Sequence, residues 1–416
     1  MTVLENKKLA YRIGEIGVYL YTLSLMVSKV GINISLGLML LGLIGIVIKK
    51  EKLTFIKEEK IIFLFLILLP IFSLLSPGGV KSFSIAFQKN YRYLGIFLIP
   101  IFLTNKEILK KTVGLVSISF IICFVNAMKV YKDLGWNMAS RFASFSENTL
   151  NEAHMLAMLS MFFFVIFIYS LKNCQIKIRI YNFIIFILSM VALVLSQGRG
   201  AWIATVGSFI FILILLIREN KKAVFVFLAV FLLLGGITQT DTFKNNQYVQ
   251  RIKSIKDIDN DSPKIRLLMW EGAANIFKKN PVFGVGRDNS GKYYLDYFEK
   301  TGSYSKVHDG ASLKRIAIAG NAHSMYFTSL CEEGLLAFVF VAMLAYIFYE
   351  EVALYRKSKD NLFIHYVIIA VTGMLVAFCI GGLTEDSWRE IWKSNTLCWG
   401  IGLYIAIKKN YLNLKK

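Results

Sequence analysis

Of the 416 residues, 56% are hydrophobic and 14% aromatic, and the mean hydropathy is +0.55, a mixture that excludes an ordinary soluble domain. The formal charge of +21 does not point to nucleic acid as a partner, because the lysines gather in short patches between apolar runs, the pattern that encodes membrane orientation. Cys123, Cys174, Cys331, Cys379 and Cys398 form no CxxC or Cys/His ligand spacing, so neither disulfides nor structural zinc are expected.

The useful unit is an apolar run of about 20 residues, enough to cross roughly 30 Å of hydrocarbon. The first, Tyr11 to Val27, lacks a small-residue cleavage site and reads as a retained span. Spans follow at Val30 to Ile48, Ile61 to Leu75 and Tyr93 to Leu103, with Lys81 to Arg92 as an interfacial segment. Further spans run from Thr112 to Tyr131, Asn151 to Leu171, Tyr181 to Leu195, Ala201 to Ile217 and Ala223 to Ile237. After one long hydrophilic stretch come Ser324 to Tyr349, Leu362 to Leu383 and Asn395 to Ile407.

This arrangement gives twelve spans with both termini inside. It places about half of the 48 Lys+Arg residues in the inner segments and about ten in the short outer loops, as the positive-inside rule requires. Residues 1–237 are thus read as nine transmembrane helices, 238–320 as an outer loop domain and 321–416 as three more transmembrane helices.

The outer loop holds 14 Lys+Arg against nine Asp+Glu, so its potential is positive and suits an anionic ligand. Within it, Ser262-Pro263 and Asn280-Pro281 bracket an amphipathic helix, Lys264 to Lys279, with Arg266 and Trp270 one turn apart. Gly284-Val-Gly286, before Arg287, reads as a turn whose glycines let backbone amides approach a ligand closely. Asp288 to Gly320 is rich in tyrosine and lysine.

Chemistry concentrates at Asn321 to Leu336, where the loop gives way to an apolar run and His323 stands at the boundary. Arg199, Arg266 and Arg287 fall on the same side. His154 reads as an interior hydrogen-bonding residue and His365 lies on the other side. Glu152, Glu385 and Asp386 either border the cavity or are headgroup-level charges. No His/carboxylate metal spacing appears, which speaks against a protein-held metal for sugar transfer, and no Gly-x-Ser-x-Gly elbow supports a hydrolase.

Ser196-Gln-Gly-Arg199-Gly-Ala-Trp202, Arg266-Leu-Leu-Met-Trp270, Asn280-Pro-Val-Phe-Gly-Val-Gly286, Asn321-Ala-His323-Ser-Met-Tyr326 and Glu333-Gly334-Leu335 together resemble the O-antigen ligase family. That superfamily also includes O-antigen polymerases and protein O-oligosaccharyltransferases. The chain departs from it at Gln197-Gly198, where the family often has serine before the arginine.

The resemblance implies an all-α polytopic protein of the bacterial inner membrane, with about 12 transmembrane helices and one large, mainly helical periplasmic loop. It also implies an inverting, metal-independent glycosyltransferase without a cofactor, its site on the periplasmic side. The donor would be a glycan on undecaprenyl pyrophosphate, the favoured acceptor lipid A-core, and membrane lipids the surroundings.

In this reading His323 is the general base, a side-chain type suited to taking up a proton at neutral pH. Arg199, Arg266 and Arg287 bind pyrophosphate as fixed guanidinium charges. Trp270, Tyr326 and Glu333 are acceptor-side or structural. A polymerase is the alternative within the class. A lipid-linked glycan transporter is disfavoured because the spans are nearly free of charge.

Overall fold

The structure is a computed structural model that describes residues 3–136, 140–146, 148–217 and 261–415, and every regular element among them is helical. In chain order they are α1 (Val3–Ser24), α2 (Lys29–Ile48), α3 (Lys57–Leu75), α4 (Gly79–Lys89), α5 (Gly95–Phe102), α6 (Lys106–Asp133), α7 (Thr149–Asn173), α8 (Ile176–Leu195) and α9 (Arg199–Leu216). Then come α10 (Asp261–Lys279), α11 (Gly291–Thr301), α12 (Gly310–Ala319), α13 (Met325–Glu333), α14 (Leu336–Lys357), α15 (Leu362–Gly381) and α16 (Ile391–Lys415).

Helix starts follow from side chains that accept orphan amides. Ser28 Oγ takes the Gly31 amide at 3.0 Å, Asn105 Oδ1 those of Glu107 and Ile108 at 3.0 Å, and Asn361 Oδ1 that of Ile364 at 3.4 Å.

Seven described helices are long and apolar enough to cross a membrane: α2, α6, α7, α8, α9, α14 and α15. The chain is a multi-pass membrane protein. Of the other five expected spans, Ala223 to Ile237 lies outside the described residues. The remaining four fall in α1, α3, α5 and α16, which are helical but short or charged near an end.

Helices α7 and α15 pack on each other at the centre and bury most of their length. The remaining long helices surround them, and Leu41, Ile44, Ile184, Ile210 and Val339 stay exposed on the rim. Such an apolar outer face is costly in water and satisfied in hydrocarbon.

A second, smaller core closes one end of the bundle. Ile265, Met269 and Ile276 of α10 bury against Tyr294 and Phe298 of α11, Leu313 and Ala317 of α12, and Cys331 of α13. The amphipathic helix expected at Lys264 to Lys279 is therefore present as α10. The Tyr- and Lys-rich stretch after Asp288 is largely helical, and its aromatic residues supply part of this core.

The span expected at Ser324 to Tyr349 is instead two helices. Gly334, at φ +59°, separates α13 from α14, a conformation that only glycine adopts without strain. A Cβ there would stand 2.5 Å from the Val282 carbonyl and 2.6 Å from the Gly284 nitrogen, so the break is fixed by close packing of two backbones.

Candidate functional site

The site lies where α9, α10, the start of α13 and the α15–α16 loop meet. Arg199 opens α9 directly after a tight turn in which Gln197 takes the left-handed conformation, φ +53°. A Cβ on Gly198 would come within 2.7 Å of Ala153 on α7, and one on Gly200 would collide with Thr384. Small residues thus seat the arginine against both the central helix and the α15–α16 loop.

Ser262 joins two of the expected cations. Its Oγ accepts from Arg199 Nη2 at 3.1 Å and from Arg266 Nη1 at 3.4 Å. Two like charges brought to one hydroxyl repel each other, an arrangement that an anion between them would relieve. Buried Arg266 Nε donates to no acceptor among the described residues. One turn further along α10, Trp270 donates to the Ala322 carbonyl at 3.1 Å and stacks on Phe327 at 5.1 Å. That bond ties the helix carrying Arg266 to the residue before His323.

His323 adopts φ +49°, a left-handed conformation costing a branched or bulky L residue about 1–2 kcal/mol. Its surroundings hold it there. The His323 amide donates to Asn321 Oδ1 at 2.8 Å, and the Met325 amide to the carbonyls of Gly382 and Glu385 at 2.9 and 3.1 Å. Its Nδ1 lies 3.8 Å from Glu385 Oε1, and Lys393 Nζ lies 3.8 Å from Glu385 Oε2. These separations exceed a hydrogen bond, but the buried Lys393–Glu385 pair keeps strong attraction between its charges.

Burial alone would raise the Glu385 pKa. The neighbouring His323 imidazole, Lys393 and His154 outweigh it and hold the carboxyl down at about 2. Next along the chain, Asp386 behaves oppositely: burial raises its pKa against the pull of Arg389, Arg287 and Lys393, with Glu332 adding to the rise. Adjacent carboxyls are thus driven apart, one held down and the other pushed up.

Arg287 and Glu333 take different places from Arg199 and Arg266. Arg287 is 2% exposed and its Nη1 donates to Glu333 Oε1 at 2.8 Å. Arg389 joins them, donating to Glu332 and, at 3.3 Å, to Glu333 Oε1. Arg287, expected to offer its charge to pyrophosphate, is thus buried and paired with one carboxylate, while its Nε donates to no acceptor among the described residues. Glu333 is buried and accepts from both arginines. Tyr326 donates to the Cys379 carbonyl at 2.8 Å, tying α13 to α15.

The Gly-x-Gly turn also serves a different purpose from the one its sequence suggests. Val285 and Gly286 donate their amides to the Cys331 and Glu332 carbonyls at 3.0 and 2.9 Å. The glycines admit the α13 backbone rather than a ligand, and a Cβ on Gly284 would run into Glu332.

Sequence reasoning left Glu385 and Asp386 undecided and overlooked Lys393, Arg389 and Glu332. A signal was present: Thr384-Glu-Asp-Ser-Trp-Arg-Glu390 packs four charges between two apolar runs, dense for a surface turn. His154 is buried on α7, with the charges of Lys393, Glu385 and Arg266 within reach. A Cβ on Gly381 would stand 2.6 Å from its Nδ1.

Residues 184–342 match the family model described as O-antigen ligase. That segment is similar to an O-antigen ligase domain. That domain spans Arg199, Arg266, Trp270, Arg287, His323, Tyr326 and Glu333, whereas Glu385 and Lys393 lie beyond its matched boundary. The chain is also similar to an uncharacterised protein of Haemophilus influenzae, 26% identical over 357 residues that cover 81% of this chain and 84% of the relative. The family implies glycosyltransferase-like activity on glycan and lipid substrates.

Proposed function

We propose that this protein transfers a glycan from undecaprenyl pyrophosphate to an acceptor hydroxyl at the periplasmic face of the inner membrane, most simply as a ligase acting on lipid A-core. The single observation behind this reading is that the family-matched segment contains both the two arginines sharing Ser262 and the histidine facing Glu385.

Arg199 and Arg266 bind the donor pyrophosphate, whose charge grows as its bond to the sugar lengthens. Fixed guanidinium groups stabilise that developing charge without reorganisation. His323 turns Nδ1 toward Glu385, so a proton on Nδ1 leaves Nε2 as the base. The acceptor O–H gives its proton to Nε2 while its oxygen forms a bond to the anomeric carbon. The carbon–oxygen bond to phosphate breaks, its electron pair leaves with undecaprenyl pyrophosphate, and displacement from the opposite face inverts the anomeric configuration.

The topology that accompanies this reading has about twelve spans, residues 238–320 as the periplasmic loop domain, and both termini in the cytoplasm. Gene deletion followed by gel analysis of surface glycolipid tests the function. Intact lipid A-core without polymer, and polymer retained on its lipid carrier, is the outcome expected for a ligase. A single repeat unit on the core identifies a polymerase, and unchanged glycolipid removes both readings.

A further inference from the structure

Lys393 is an unusual place for a charge. It is 2% exposed, and taking an ammonium out of water costs several kcal/mol by order of magnitude. It also occupies the first turn of α16, the positive end of the helix dipole, where a cation is disfavoured. Glu390 caps that turn by accepting the Trp392 amide at 2.8 Å, so the lysine is not needed there as a cap. What it does face is Glu385 Oε2 at 3.8 Å, while His323 Nδ1 faces Oε1 at the same distance.

We infer that Lys393 is a positioning residue for the proposed transfer: by pairing with the outer oxygen of Glu385, it keeps that carboxylate anionic and turned toward His323. The inference rests on the reading of His323 as base. A carboxylate with the Lys393 ammonium on one oxygen and the His323 imidazole on the other cannot rotate or take up a proton without losing one partner. With Lys393 gone, burial would favour the neutral acid, and the imidazole would lose the charge that fixes its tautomer and stabilises the imidazolium formed during transfer.

The titratable groups around Glu385 are His323 from the loop before α13, His154 from α7 and Lys393 from α16. Asp386 alongside is faced by Arg389, Arg287, Lys393 and Glu332. Removing one positive charge from this set makes the His323–Glu385 pair take up protons more readily, so the acid limb of the rate profile moves to higher pH.

The test uses the full chain in proteoliposomes, a short-chain polyprenyl-pyrophosphate oligosaccharide as donor and purified lipid A-core as acceptor. For Lys393→Met, kcat is expected to fall about tenfold or more with donor KM within about twofold, and the acid limb to rise by about one pH unit. Lys393→Arg is expected to recover most of the rate and the parent profile. Lys393→Met/Glu385→Gln is expected to be no slower than Glu385→Gln alone, since both changes break one interaction.

Because Lys393→Met leaves a buried carboxyl without its cation, the neutral double variant serves as the folding control. A second readout does not depend on turnover: Lys393→Met gains a protonated-carboxyl infrared band at pH 6 that the double variant lacks. The inference is overturned by an unshifted acid limb, by additive losses, by a missing infrared band, or by a rise in donor KM at unchanged kcat, which would make Lys393 a donor-binding cation. Failure of His323→Ala to abolish transfer by an active parent chain removes the functional reading itself.

Discussion

At the scale of single residues, the site divides its cations by burial. Arg287 pairs with Glu333 and Arg389 with Glu332 and Glu333, whereas Arg199 and Arg266 both reach Ser262. Arg199→Ala and Arg266→Ala should therefore act on the donor, raising its KM about tenfold or more, and parental donor KM in either would refute the pyrophosphate assignment. Glu385→Gln should retain donor binding but lose kcat, as a neutral partner cannot stabilise imidazolium; steady-state kinetics separate the two. Asp386 allows a prediction about stability. Its pKa is raised on folding, so the folded state holds the proton more tightly than the unfolded one. Stability from this group is complete below its unfolded pKa and lost as pH rises through the folded value. Asp386→Asn lacks that loss, so its melting temperature relative to the parent should climb as pH rises above about 4. Melting curves from pH 4 to 8 check the slope, and a difference that falls with pH contradicts the sign.

At the scale of elements, what could be read in advance depended on whether the signal was local. The amphipathic helix carrying Arg266 and Trp270 announces itself through its own periodicity and the prolines bracketing it, and it is there as α10. The division of Ser324 to Tyr349 was hidden, since Gly334 looks like a tolerable glycine in an apolar run until its neighbours Val282 and Gly284 are known. The same holds for Gly284 and Gly286, whose sequence signature suits a ligand as well as a backbone. Arg199, Arg266 and His323 stood out by residue type and position, but Glu385 and Lys393 acquire meaning only from a partner 62 residues away in one case and eight in the other. The break at Gly334 carries a direct consequence. Gly334→Ala must accommodate a Cβ 2.5 Å from a carbonyl oxygen at φ +59°, which should cost about 1–3 kcal/mol and shift α13 with His323 at its entrance. Thermal unfolding in detergent should show the loss, and parental stability would mean that the turn relaxes freely.

For the molecule as a whole, the two ends of the bundle have different electrostatic tasks. The candidate site occupies one end, with its cations aimed inward. At the other, Lys408 pairs with Glu58 and Glu350, and Lys409 with Glu59 at 3.1 Å, clamping α16 to α3 and α14. The two ends are separated by helices such as α15, whose 20 residues extend about 30 Å, one hydrocarbon thickness. On the proposed topology the clamped end is cytoplasmic: the Lys-rich segments that gather there obey the positive-inside rule, and the long loop domain is exempt from it. Sidedness can be measured directly. With the five native cysteines replaced, Glu299→Cys on α11 and Lys172→Cys at the end of α7 place exposed thiols on opposite ends of the bundle. A membrane-impermeant maleimide added to spheroplasts should label the first and reach the second only after the membrane is opened. The reverse pattern would put His323 on the cytoplasmic side, where a donor already carried across the membrane could not meet it, and the transfer reaction proposed for this site would have to be abandoned.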